Sequence, residues 1–125
     1  MKINESVENY LETILMLSQK GSVRSIDIAD EMDFTRASVS VAMKKLREGE
    51  YIFVDENGYI TLTTTGKTIA ENMYERHTEL TNWLVSLGVD KETAITDACR
   101  LEHVISEKSF NALKNVCKNC KCKQD

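Results

Sequence analysis

Tyr51-Ile52-Phe53-Val54-Asp55-Glu56-Asn57-Gly58-Tyr59-Ile60-Thr61-Leu62-Thr63 is the stretch that decides the fold. Two runs of β-branched and aromatic residues flank a polar centre, and Asn followed by Gly accepts the positive φ of a tight hairpin turn, so the segment reads as a β-hairpin. Immediately upstream the texture is helical. Ser25 or Asp27 can cap a helix through Met32, Asp33-Phe34 makes a short turn, and Thr35 opens a further helix to about Glu48. Two helices joined so briefly have the sequence shape of a helix-turn-helix, and the small Ala29 leaves room for the second helix to approach the first. A helix-turn-helix followed at once by a hairpin predicts a winged helix-turn-helix DNA-binding domain over residues 1–63. Before it, Val7, Tyr10, Leu11, Ile14, Leu15 and Leu17 recur at helical spacing, with Ser6 available as N-cap and Gly21 as terminator.

After the hairpin, Thr65-Gly66 leads into a long periodic segment carrying Ile69, Met73, Leu80, Leu84 and Leu87 and ending near Gly88. Val89 to Glu92 is a link, a helix carrying Cys99 to His103 follows, and a last helix begins at Ser106 or Glu107 with Phe110, Leu113 and Val116 as its apolar stripe. Residues 64–116 thus read as an all-α domain, and 117–125 as a Cys- and Lys-rich tail. The expected class is mostly α with one small β-hairpin. The apolar stripes exceed what half of a 125-residue chain can bury alone, so a homodimer is expected, and helix-turn-helix proteins commonly pair to read two half-sites.

Hydrophobic content of 42% and charged content of 29% are globular values, and no apolar run nears the roughly 20 residues that cross a bilayer. Met1-Lys2-Ile3-Asn4-Glu5 lacks the basic-then-apolar order of a signal peptide, so a cytoplasmic protein without a membrane partner is expected. Cys99 stands alone and the other three Cys crowd the last nine residues, an arrangement that would not staple a fold; reduced thiols fit better. The absence of proline agrees with long helices.

A pI near 5.3 argues against unspecific attraction to nucleic acid. Distribution matters more than total. Arg36, Lys44, Lys45 and Arg47 fall in residues 34–47, which hold no acidic residue, and such a local basic face can supply phosphate contacts. Thr35, Arg36, Ala37, Ser38, Ser40 and Val41 occupy the first turns of the third helix, where recognition residues reach base edges or phosphates. With Lys44 and Lys45 they form the candidate surface for double-stranded operator DNA; the plain alternative is a solvated helix face.

Cys99, Glu102 and His103 are spaced i, i+3, i+4 and share one stripe of a helix, offering a thiol, a carboxylate and an imidazole to one point. Soft sulfur, nitrogen and oxygen together suit a late first-row divalent metal better than Mg or Ca. The bland alternative is a buried Cys with Glu102 and His103 in solvent. In the tail, Cys117, Cys120 and Cys122 can put three thiolates on a Zn or Fe ion, and the interleaved lysines would lower the thiol pKa values, so a second metal or redox site stands beside a tail without a role. No nucleophile elbow, phosphate loop or H-E-x-x-H motif appears, so neither an enzyme nor an organic substrate is expected. The rival binding module is a winged-helix regulator of the multiple-antibiotic-resistance type, whose helical half holds an organic ligand or uses Cys99 as a redox sensor.

Over roughly residues 5–116 the chain resembles the diphtheria toxin repressor family of metal-dependent transcriptional regulators. The resemblance is carried by Glu8-Asn9-Tyr10-Leu11-Glu12-Thr13-Ile14, Ile28-Ala29-Asp30, Ser38-Val39-Ser40, Leu62-Thr63-Thr64-Thr65-Gly66, Arg76-His77 and, above all, Ala98-Cys99-Arg100-Leu101-Glu102-His103. It implies a winged-helix domain, a helical metal-binding and dimerisation domain, and metal-loaded dimers that bind operators and repress metal uptake genes. It also implies that His77, Glu12 and Asn9 join Cys99, Glu102 and His103 as metal ligands. The pattern is a hybrid. Asn9 stands where iron-type members have Met and manganese-type members Asp; Glu12 matches the manganese type, and Cys99 the iron type. Thr81 and Ile95 replace two ligands of the iron-type ancillary site, leaving His77 to serve a two-metal cluster with Glu12 and Glu102. The chain stops where longer members continue into an SH3-like domain, so the short, manganese-regulator-like type is expected, with Fe(II) or Mn(II) as effector.

Overall fold

The computed structural model describes residues 5–124, and the side chains of residues 5–116. The element order is α1 (Glu5–Ser18), α2 (Ser25–Met32), α3 (Arg36–Glu48), β1 (Ile52–Val54), β2 (Ile60–Leu62), α4 (Thr64–Ser86), α5 (Lys91–Val104) and α6 (Glu107–Gln124). The chain divides into two compact units, with the division at Asn72 and Met73 inside α4. No described helix is long and apolar enough to cross a membrane.

In the first unit, α1 buries Val7, Tyr10, Leu11 and Ile14, and Ser6 lies within its first turn and not at the cap position. The cap of α2 also differs from expectation. Arg24 is the N-cap residue, and its backbone N–H donates to Asp27 Oδ2 at 2.9 Å, so Asp27 works back on the cap from the third helical position and Ser25 takes no part. Asp33 closes α2 in the left-handed conformation (φ 57°), and Phe34 N–H donates to Ala29 O at 3.0 Å. That reversal is the turn of the helix-turn-helix, and Asp tolerates it better than most residues. Thr35 caps α3: its Oγ1 accepts from Ser38 N–H at 3.1 Å, and its hydroxyl donates to Ser38 Oγ at 2.8 Å. Val39, Met43 and Leu46 then face the core shared with Ile28, Ile52 and Ile60.

The hairpin pairs β1 with β2 in antiparallel register, Ile52 opposite Leu62 and Val54 opposite Ile60, and Ile60 N–H also reaches Val23 O at 2.8 Å. Its turn corrects the tight two-residue expectation. Only Gly58 takes positive φ (86°), because Asp55 organises the loop: its Oδ1 accepts from the N–H groups of Asn57 and Tyr59, each at 2.9 Å, while Gly58 N–H donates to Asp55 O. The side chain holds residues 56 and 57 in a normal turn and leaves the left-handed position to glycine. Asp55 and Glu56, both exposed, make the hairpin tip acidic.

Gly66 is where the first turn of α4 meets the strand backbone. A Cβ there would collide with the carbonyl oxygen of Tyr51, a backbone atom that cannot yield without shifting the chain that leads into β1. Gly66→Ala is expected to destabilise the first unit by about 2–3 kcal/mol, read as an earlier urea midpoint; an unchanged midpoint would show that the approach relaxes freely.

The second unit is built around Leu80, Ala98 and Phe110, with Trp83, Leu101, Ile105 and Leu113 packed against them. Its last helix runs on past Val116 to Gln124, where a separate tail was expected, since no Gly or Pro interrupts residues 107–124. Cys117, Cys120 and Cys122 fall in that helical stretch, and their side chains lie outside the described residues.

Candidate metal centre and nucleic-acid interface

The candidate metal-ligating residues of the second unit are set by α4 and α5. Asp90 caps α5, accepting from Thr93 N–H at 3.0 Å, and the hydrogen bonds from Thr93 hold its carboxyl below the usual carboxylate range. The buried seam of α5 is then Ala94, Ala98 and Glu102, spaced i, i+4, i+8. Two alanines and a glutamate are an odd seam, because a carboxylate without a cation is costly to bury. Glu102 is nevertheless 0% exposed.

Two imidazoles flank it. His77 Nδ1, from α4, stands 3.5 Å from Oε2, and His103 Nε2 stands 3.3 Å from Oε1, the His103 side chain being 1% exposed. Among the described residues neither oxygen of Glu102 has a hydrogen-bond partner, and neither does the buried Oγ1 of Thr81, one turn beyond His77. An arrangement of this kind fits a divalent transition metal: a carboxylate left unsatisfied between two imidazoles offers mixed oxygen and nitrogen ligation.

Arg76, unremarked in the sequence except beside His77, keeps this geometry. Its Nη1 donates to Glu102 O at 3.1 Å and Ile105 O at 2.8 Å, and its guanidinium lies 5.4 Å from the centre of the Phe110 ring. It therefore ties the last turn of α5, with its unpaired carbonyls, to α4. The partner carbonyls lie 26 and 29 residues away, so no local signal could have revealed the role.

Cys99 is exposed, one helical step off the buried seam after Ala98. The bland alternative for this stripe is thereby reversed: the thiol is at the surface and the carboxylate and imidazole are inside. In the first unit, Glu12 is 7% exposed on α1 and Asn9 is half-buried.

On α3, Thr35, Arg36, Ala37, Ser38, Ser40, Val41, Lys44 and Lys45 are all exposed. Ala37, Val41 and Lys44 lie opposite the buried Val39, Met43 and Leu46, with Arg36, Ser40 and Arg47 on one flank and Ser38 and Lys45 on the other. The surface is thus a helix face with cations on both flanks, Ala37 and Val41 at the centre of its first turns and Lys44 following them on the same side.

Residues 2–60 match the family model of the iron dependent repressor N-terminal DNA binding domain, and residues 63–124 that of the iron dependent repressor metal binding and dimerisation domain. The chain belongs to the iron-dependent repressor family. It is 34% identical over 112 residues to the HTH-type transcriptional regulators MntR of Bacillus velezensis and Bacillus subtilis, covering 89% of this chain and 79% of each relative. Among solved structures it is similar to the manganese regulator SloR, with TM-score 0.78 and 26% identity over 93% of this chain. A manganese-dependent transcriptional repressor in complex with manganese gives TM-score 0.81 and 25% identity over 90% of it. The chain spans about half the length of these two solved regulators, 54% and 52%. As a member of that family it joins a DNA-binding domain to a metal-binding and dimerisation domain, and its relatives are regulators of transcription, not enzymes. These likenesses support metal dependence and not the organic-ligand or redox-sensing alternative.

Proposed function

We propose that the protein is a cytoplasmic homodimeric repressor of metal uptake genes that binds its operator when loaded with Fe(II) or Mn(II). The observation that carries this is the fully buried Glu102, without a hydrogen bond at either oxygen among the described residues and flanked by His77 and His103. Glu12 and Asn9 on α1, with Cys99, complete the ligand set in this reading, supported by the family resemblance at each position. The functional boundary lies between residues 63 and 64.

A bound cation supplies the positive charge that a buried carboxylate requires. Without that charge Glu102 is poorly accommodated, and the turn of α5 that carries it and His103 loosens. Ligation by α1 residues couples this to the reading unit, since α1 packs directly against α2 of the helix-turn-helix. Metal and operator then raise each other's affinity by the same factor, a coupling of ~1–3 kcal/mol in typical cases. Affinity alone does not choose the metal, because later metals bind more tightly at almost any such site. Relatives named for manganese support Mn(II), and the thiol at Cys99 supports Fe(II).

Anaerobic fluorescence anisotropy on the duplex upstream of the gene, with Fe(II), Mn(II) and chelator in turn, tests the reading. Binding is expected to strengthen about 5–150-fold with the effector metal and to vanish with chelator. Binding indifferent to metal and chelator, yet lost on oxidation, would replace the proposal with redox sensing at Cys99.

A further inference from the structure

We infer that Val41 reads thymine C5 methyl groups in the major groove, so that operator recognition depends on methyl contacts at the centre of α3. The inference rests on the reading of α3 as the DNA-contacting helix. Val41 is 56% exposed, opposite the buried side of the helix. A β-branched residue there keeps most of its apolar surface in water and is a poorer helix former than the long polar residues usual on a solvated face. One turn earlier on the same face stands Ala37, also exposed and without a donor or acceptor.

The polar groups nearby are already committed or peripheral. Thr35 and Ser38 spend their hydroxyl contact on each other in the helix cap. Arg36, Lys45 and Arg47 lie on the flanks, the positions from which cations reach phosphates, and Lys44 follows one turn beyond. A methyl-bearing centre between cationic edges complements a duplex whose backbone is anionic and whose major-groove floor carries one apolar group, the thymine methyl.

The test starts by selecting duplexes from a random pool with the full-length Mn(II)- or Fe(II)-loaded protein. The best duplex is then remade with deoxyuridine at every thymine, which removes the methyls and keeps base pairing and phosphates. At constant salt the substituted duplex is expected to bind about fourfold more weakly for each methyl buried, which compounds to roughly 15-fold over one such methyl in each of two half-sites. Val41→Ala, whose site is exposed and whose fold is checked by circular dichroism, is expected to bind the thymine duplex more weakly and to discriminate less between the two duplexes. Equal binding of both duplexes by the unmodified protein, or full discrimination retained in Val41→Ala, overturns the inference while leaving metal-gated binding intact. Failure to select any metal-dependent binder overturns the DNA reading itself, and the inference with it.

Discussion

Glu102→Gln is expected to abolish metal-stimulated DNA binding while raising the melting temperature of the metal-free protein. The opposite signs make this variant decisive. Glutamine keeps the shape of a side chain that is wholly buried beside Ala98 and Leu101, so packing is conserved. The carboxylate that it removes has no hydrogen bond at either oxygen among the described residues and relies on two imidazoles at 3.3 and 3.5 Å. Relieving that burial is expected to add about 1–2 kcal/mol to the metal-free fold, or roughly 5 °C for a domain of this size. Loss of a direct ligand should weaken metal binding at least about 100-fold, the upper end of what outer contacts alone achieve. Scanning fluorimetry in chelator gives the first quantity and calorimetric Mn(II) titration the second. His103→Ala should lose the metal response without the stability gain, because it leaves a cavity where an imidazole is buried. A Glu102→Gln protein that melts lower in chelator and still responds to metal would make Glu102 a structural partner of the two histidines and end the ligand assignment.

Arg76→Ala is expected to lower stability by about 3 kcal/mol and to weaken metal binding about tenfold without touching a ligand. One guanidinium nitrogen serves two carbonyls at the end of α5, and the same group covers the Phe110 ring. Truncation leaves those carbonyls part-buried and unpaired, and frees the turn that carries Glu102 and His103. Urea unfolding and metal titration read the two effects separately. A stability loss under about 0.5 kcal/mol, the scatter of ordinary surface changes, would show that α5 holds its register by other means.

The winged half was legible because its signals are local. Alternation in β1 and β2, Thr35 as a cap and the Asp33-Phe34 turn each act within a few residues. Where one side chain overrode a dipeptide preference the reading failed, as when Asp55 reshaped the loop that Asn57-Gly58 had been expected to close tightly. On α5 the spacing of Cys99, Glu102 and His103 was visible but the buried side was not. That side is chosen by the packing of Ala98 with Leu80 and Phe110, which no stretch of α5 encodes. Thr81 was noticed only as a missing ligand, and its buried hydroxyl emerged from the packed structure.

The acidic hairpin tip gives the DNA-binding unit a polarity of its own. Asp55 and Glu56 are exposed on the hairpin loop, and Lys44 and Arg47 of α3 share a cleft with Val54, the residue that leads into that loop. In the field of a polyanion such a body experiences a torque as well as an attraction. A net charge of −4 would by itself slow the encounter. The α3 cations offset that locally, while phosphates brought against the hairpin loop meet Asp55 and Glu56, so an approach led by the loop is disfavoured and one led by α3 is favoured.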